Sequence, residues 1–91
     1  MIVTLHNSAW SNGVNVETAQ GPDHGGGPEE NYPRDSRRLN PGESWAVSVS
    51  GGYDLWYRRD RNPDSPQIPP DYQSTWDHVV NFGNDEERDI D

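Results

Sequence analysis

The stretch that decides the fold is SWAVSVSGGYDLWYRR, residues 44–59. Polar and apolar side chains alternate on both sides of a Ser-Gly-Gly segment, which is the pattern of two strands joined by a tight turn. A three-residue loop at 50–52, with a glycine in the left-handed conformation, gives a register in which only apolar residues pair. A two-residue loop would place serines opposite apolar residues, so we reject it. The favoured register predicts a hairpin in which Val49 faces Tyr53, Val47 faces Leu55 and Trp45 faces Tyr57.

Trp56 is out of phase with this apolar face, so the alternation places it on the opposite side of the hairpin. An indole there is either covered by another part of the chain or exposed for stacking on a partner. The same alternatives apply to Trp10, which lies in the connection at 7–13. We expect both tryptophans and the neighbouring Arg58 to bind a partner, because Trp and Arg are common at interface centres. On this view Trp56→Ala weakens partner binding more than it weakens folding.

The remaining apolar alternation predicts an all-β protein. Strands are expected at 1–6, 14–18, 35–39 and 74–82, and the last of these is expected to turn Trp76, Val80 and Phe82 to the core. Gly- and Pro-rich loops are expected at 20–33 and 60–73, and a turn at 40–42. The fold class is therefore a small single-domain β-sandwich or open barrel of about six short antiparallel strands with long loops.

The domain is expected to cover residues 1–83. Residues 84–91 contain five acids and a lone isoleucine, which is typical of a solvated and disordered acidic tail. No apolar run is long enough for a membrane helix, and the polar residues after position 5 do not fit a signal peptide. We therefore expect a cytoplasmic protein. The chain has no cysteine, so a disulfide framework is excluded.

Charge gives the clearest indication of partners. Sixteen acidic residues stand against seven basic ones, all of them arginine, for a formal net charge of −9 over 91 residues. Such a chain repels nucleic acid and anionic membranes at long range and attracts basic surfaces. We expect a protein partner with a basic surface, with no direct nucleic-acid binding and no membrane binding.

Catalytic and metal-binding motifs are absent from the sequence. The three histidines, His6, His24 and His78, are far apart, whereas zinc sites show ligands at short spacing. Pairs of acids could be drawn for glycoside hydrolysis, but with sixteen acids such pairs are expected by coincidence. Neither a G-x-S-x-G nucleophile elbow nor a phosphate-binding loop occurs. The sequence predicts no enzyme activity, no cofactor and no metal site.

A protein-binding module without catalysis is the function that this composition favours. Small size, acidity and the lack of cysteine suit a phage or mobile-element inhibitor of the anti-CRISPR or DNA-mimic kind. Its target would be a basic nucleic-acid-binding protein, because surface carboxylates can replace phosphates as partners for Lys and Arg. Mimicry requires the acids to lie on one surface, and the residues expected there are Glu17, Glu29, Glu30, Asp35 and Glu43.

Two other functions stay open at this stage. A carbohydrate-binding β-sandwich would use Trp10, Trp56 or Tyr72 as stacking platforms, and it would show exposed aromatic rings with a polar rim. A small structural or assembly protein would oligomerise through its edge strands, and its mass in solution would reveal this.

Overall fold

The computed structural model of the chain describes residues 1–8, 12–62, 67–69 and 71–90. Seven strands occur in these ranges, and the described residues include no helix that could cross a membrane. The strands are β1 (Ile2–His6), β2 (Val14–Gly21), β3 (Arg34–Leu39), β4 (Ser44–Ser48), β5 (Asp54–Asp60), β6 (Asp77–Val79) and β7 (Glu86–Asp89).

The strands form two sheets, which confirms the predicted all-β fold of a small β-sandwich or open barrel, with seven strands in place of about six. The larger sheet has the order β3-β2-β5-β6, and the smaller sheet has the order β4-β1-β7. All neighbouring strands are antiparallel except β1 and β7, which run parallel. The polar strand β3 lies at an edge of the larger sheet.

The core lies between the two sheets and is built from alternate residues of each strand. Burial of one aliphatic side chain contributes about 1.5–3 kcal/mol, so a small number of such residues can hold a domain of this length. The smaller sheet supplies Val3, Leu5, Trp45 and Val47, the larger sheet supplies Val14, Val16, Leu39, Leu55, Tyr57 and Val79, and Val49 and Ile90 lie just outside the strands.

The hairpin predicted for residues 44–59 is wrong in its pairing. β4 pairs with β1 in the smaller sheet, whereas β5 pairs with β2 and β6 in the larger sheet. The turn itself is as predicted: the amide of Tyr53 donates to the carbonyl of Ser50, and Gly52 has a φ of 81°. The two apolar faces therefore meet across the sandwich core rather than side by side in one sheet.

The last predicted strand, 74–82, is shorter than expected and has the opposite phase. Only Asp77–Val79 is a strand, and its pairing sets Val79 opposite Leu55. Val79 is therefore in the core, whereas Val80 and Phe82 are exposed. Two adjacent valines fit either phase, and pairing with β5 decides between them.

The expectation of a disordered tail at 84–91 is wrong for the described residues 84–90. Glu86–Asp89 forms β7 beside β1, and Ile90 is fully buried in the core. The amide of Ile90 donates to the carbonyl of His6 at 2.9 Å. All four residues of this edge strand are charged, and charge on an edge strand is a usual protection against pairing with another chain.

Candidate functional site

Trp56 lies on the outer face of the larger sheet, as the alternation predicts, but it is only 2% exposed. Tyr32, from the loop before β3, covers it with ring centroids 5.8 Å apart. Trp76 also packs against this group. We call Tyr32, Trp56, Trp76 and His78 the outer aromatic layer. Of the two alternatives for Trp56, the covered one applies, so its ring does not form an exposed binding platform.

A glycine on the neighbouring strand makes room for this cover. A Cβ atom at Gly21 would lie 2.5 Å from ring atoms of Tyr32, so only glycine allows the ring to approach so closely. The Tyr32 hydroxyl donates a hydrogen bond to the carbonyl of Pro22, which fixes the ring in place. The sequence does not predict this cover, because the loop has no periodicity that would reveal a packed side chain.

His78 completes the layer from the other side. Its imidazole stacks on the indole of Trp56, and its Nε2 lies 2.7 Å from Oδ2 of Asp54. The second carboxylate oxygen of Asp54 accepts the backbone amide of Asn81 at 3.0 Å. These contacts join the start of β5 to β6 and to the loop that follows it.

Asp23 brings a third potential metal ligand to this place. One ligand atom each from Asp23, Asp54 and His78 lies within 4.8 Å of the others. A carboxylate oxygen of Asp23 accepts a hydrogen bond from the amide of Gly25. The carboxylate of Asp54 is hydrogen-bonded to His78 and to the amide of Asn81. Hydrogen bonding within the fold thus accounts for this arrangement, and the expectation of no metal site stays a prediction.

Arg58 is held inside the protein rather than presented to solvent. Its Nε donates to Oε1 of Glu17 at 2.6 Å, and its Nη1 donates to the carbonyl of Tyr72 at 2.9 Å. The guanidinium lies over the rings of Trp76 and Tyr72, at 4.7 and 5.5 Å from the centroids. The side chains of Arg58 and Glu17 are only 13% and 21% exposed.

Each of the seven arginines contacts an aromatic ring, a carboxylate, an amide or a carbonyl of the chain. Arg34, Arg37, Arg58 and Arg59 lie within about 6 Å of aromatic ring centroids, the range of cation–π contacts. Arg34 lies over Trp76, Arg37 lies over Trp45, Arg38 donates to Asn15, Arg58 pairs with Glu17, Arg59 pairs with Asp77, Arg61 donates to the carbonyl of Ile90, and Arg88 pairs with Glu86.

The five acids expected to form one array do not lie together. Glu29 and Glu30 are exposed in the loop before β3, whereas Glu43 lies beyond the other end of that strand. A six-residue strand spans about 20 Å, so these acids are far apart. Asp35 is exposed on β3 itself, and Glu17 is tied to Arg58.

Three loops and the N-terminus meet at one end of the sandwich. We call this region the loop end, and it comprises residues 1–2, 22–33, 49–53 and 80–85. The amide Nδ2 of Asn81 donates to the carbonyl of Ser50 at 3.2 Å, and Oδ1 of Asp85 accepts the amide of Ile2 at 2.8 Å. The loop after β6 is therefore fastened both to the loop after β4 and to the start of β1.

Phe82 stands out at the loop end, and the sequence analysis placed it in the core. Its side chain is 81% exposed. The signal that could have revealed it is local: the sequence NFGND surrounds Phe82 with residues typical of turns. A phenylalanine in such a turn is a weaker candidate for a strand core than Val79.

A cavity of about 180 Å³ lies on β2 and β3, against residues 67–68. Asn15, Ser36 and Arg38 are among the residues that line it. Its volume is below the roughly 300–1,000 Å³ of ordinary small-molecule pockets. The cavity gives no specific support to an enzyme reaction.

Trp10 lies outside the described residues, so its predicted binding role stays a prediction. Tyr72 is half-buried under Arg58, which leaves it a poor stacking platform for a sugar. Comparison of the chain with models of known protein families, with curated proteins and with solved structures finds no match.

Proposed function

We propose that this chain is a non-enzymatic, cytoplasmic protein-binding module whose partner has a basic surface. The distribution of charge carries this proposal. Arg58, Arg59 and Arg88 each pair with a carboxylate of the chain, while acids such as Glu29, Glu30 and Asp85 are exposed in a chain of net charge −9. The field that a partner meets is therefore dominated by carboxylates, which steer a basic surface into contact and speed association.

The partner class we propose is a basic nucleic-acid-binding protein, with this chain acting as an inhibitor of phage or mobile-element kind. Lys and Arg side chains that bind phosphate also bind carboxylate, so an acidic protein can compete for such a surface. Glu29 and Glu30 are adjacent and exposed, which supports this competition. Glu17 supports it less, because Arg58 already neutralises its carboxylate.

Affinity capture from a nuclease-treated cell lysate, at low and at high salt, tests the proposal. The tagged full-length chain is immobilised, and the bound proteins are identified by mass spectrometry. We expect a basic nucleic-acid-binding protein that is released by high salt and displaced by added DNA, because charge pairs at an exposed surface are screened by salt. A partner that resists high salt, or recovery of this chain alone, would contradict the proposal and favour an assembly role.

A further inference from the structure

The described residues include four exposed large apolar side chains, and all four belong to the loop end. Single apolar residues on a surface need no explanation, but these four share one end of the fold, and Phe82 is by far the most exposed of them. The four residues are Ile2, Tyr53, Val80 and Phe82, with exposed fractions of 43%, 37%, 40% and 81%.

Phe82 is exposed although its neighbours are firmly held. The amide of Asn81 donates to Asp54, its side chain donates to Ser50, and its Oδ1 accepts the amide of Gly83 at 2.8 Å. Gly83 has a φ of 86°, a conformation that other residues rarely adopt. Because the backbone that carries the ring is already held, binding has to order only the side chain, which favours affinity.

The side-chain charge around these apolar residues is mainly negative, although the N-terminal ammonium donates to the carbonyl of Val49 and Arg34 at the start of β3 donates to the carbonyl of Glu29. The loops at 22–33, 49–53 and 80–85 contain no Lys or Arg, and they do contain Asp23, Glu29, Glu30 and Asp85. An apolar centre with a charged rim is the usual composition of a protein interface. Two copies of this end would bring acids against acids, so pairing with a second copy is unfavourable.

We propose that the loop end is the docking surface, and that its occupant is a basic segment of a partner protein. Aliphatic or aromatic side chains of that segment pack on Phe82, while its Lys and Arg side chains reach the surrounding carboxylates. This inference rests on the proposed function and adds where the partner binds and what the segment must contain. In this inference Phe82, and not Trp56, is the central aromatic contact.

Two synthetic peptides of equal positive charge test the inference. One combines Lys with Leu and Phe, and the other combines Lys with Ser. Their affinities for the full-length chain are measured by fluorescence anisotropy at low salt. We expect Phe82→Ala to weaken binding of the Leu- and Phe-containing peptide at least about tenfold and to leave the Ser-containing peptide unchanged. Equal binding of the first peptide to wild type and to Phe82→Ala would overturn the inference.

Two charge variants with the same net charge separate a local site from the general field. The double variant Glu29→Gln with Glu30→Gln removes two charges at the loop end, and Asp71→Asn with Asp89→Asn removes two exposed charges elsewhere. We expect the first double variant to weaken binding of both peptides several-fold more than the second, because the charges act at close range. Equal effects would overturn the assignment of the site to the loop end.

The failure of the inference and the failure of the proposed function give different results. If neither peptide binds wild type at low salt, the proposed attraction to basic partners fails as well. If both peptides bind equally well and Phe82→Ala changes neither affinity, the attraction holds and only the docking surface is wrong. If sedimentation shows dimers that Phe82→Ala abolishes, the occupant is a second copy, and the inference is overturned.

Discussion

The imidazole of His78 stacks on the indole of Trp56, with ring centroids 4.6 Å apart and an angle of 8° between the planes. Asp54 holds the imidazole from the side through a contact of 2.7 Å to Nε2. The indole is therefore enclosed between neighbouring strands and the covering Tyr32. Trp56 is therefore packed within the fold, whereas Phe82 at the loop end is exposed.

Replacement of Trp56 tests this assignment. Trp56 is the largest fully buried side chain among the described residues, so Trp56→Ala leaves a cavity. We expect the free energy of unfolding to fall by about 3–5 kcal/mol, measured by chemical denaturation. Phe82→Ala is the matched control, because an exposed ring changes stability by no more than about 0.5 kcal/mol. Equal stabilities for the two variants would show that the indole is not part of a packed layer.

Substitution of Gly21 tests whether Tyr32 covers the outer face of the larger sheet. A methyl group there would overlap the ring of Tyr32, so we expect Gly21→Ala to lower the free energy of unfolding by about 1–3 kcal/mol. Gly51→Ala is the control, because no atom lies within 4 Å of its Cβ position and its φ is not positive. Urea unfolding of both variants gives the comparison. Unchanged stability of Gly21→Ala would mean that Tyr32 does not pack where the structure places it.

Ile90 tests whether the C-terminal segment belongs to the fold. Its side chain is fully buried, so Ile90→Ala should reduce the free energy of unfolding by about 2–5 kcal/mol in thermal or chemical unfolding. Asp89→Ala, at the exposed position just before Ile90 in β7, should change it by less than about 0.5 kcal/mol. A solvated tail would instead make the two variants equally stable.

Tyrosine ionisation gives an alkaline limit to stability. Burial raises the pKa of Tyr32 above its ordinary value of 10.0, and Glu29 and Asp23 raise it further. Burial also raises the pKa of Tyr57, followed by the nearby Asp77, against opposing effects of two arginines.

Above pH 10.0 the unfolded chain loses phenolic protons that the folded chain retains, so stability falls as pH rises. Below pH 10.0 the contribution of the two tyrosines to the free energy of unfolding is fully present. Absorbance at 295 nm, followed together with circular dichroism, should show part of the tyrosine titration coinciding with unfolding. If all tyrosines ionised near their ordinary pKa of 10.0 while the chain stayed folded, the burial of these two rings would be contradicted.

The sequence predicts the fold class well, because alternation in short segments fixes which residues share a face. Val47, Leu55 and Tyr57 are in one core, and Trp56 is on the opposite face, as the pattern indicates. Alternation does not determine which strands are neighbours. Two apolar faces can lie side by side in a sheet or oppose each other across a sandwich, and the pattern in residues 44–59 is the same in both cases.

The candidate site is harder to predict than the fold. The cover on Trp56 comes from Tyr32, in a loop whose glycines and prolines show no period. Exposure of Phe82 depends on the phase of β6, which a pair of adjacent valines leaves open. The C-terminal segment is part of the fold because one buried isoleucine and a ladder of backbone hydrogen bonds outweigh the cost of its charged side chains. These features arise from tertiary contacts that composition does not reveal.

The most direct test of the central claim is a two-dimensional NMR titration of the ¹⁵N-labelled chain with the Lys-, Leu- and Phe-containing peptide. The claim is that a basic partner binds at the loop end. We predict that the largest chemical-shift changes fall in residues 22–33, 49–53 and 80–85, and that high salt reduces them. Changes centred instead on the outer aromatic layer or on β3, with the loop end unaffected, would contradict the account.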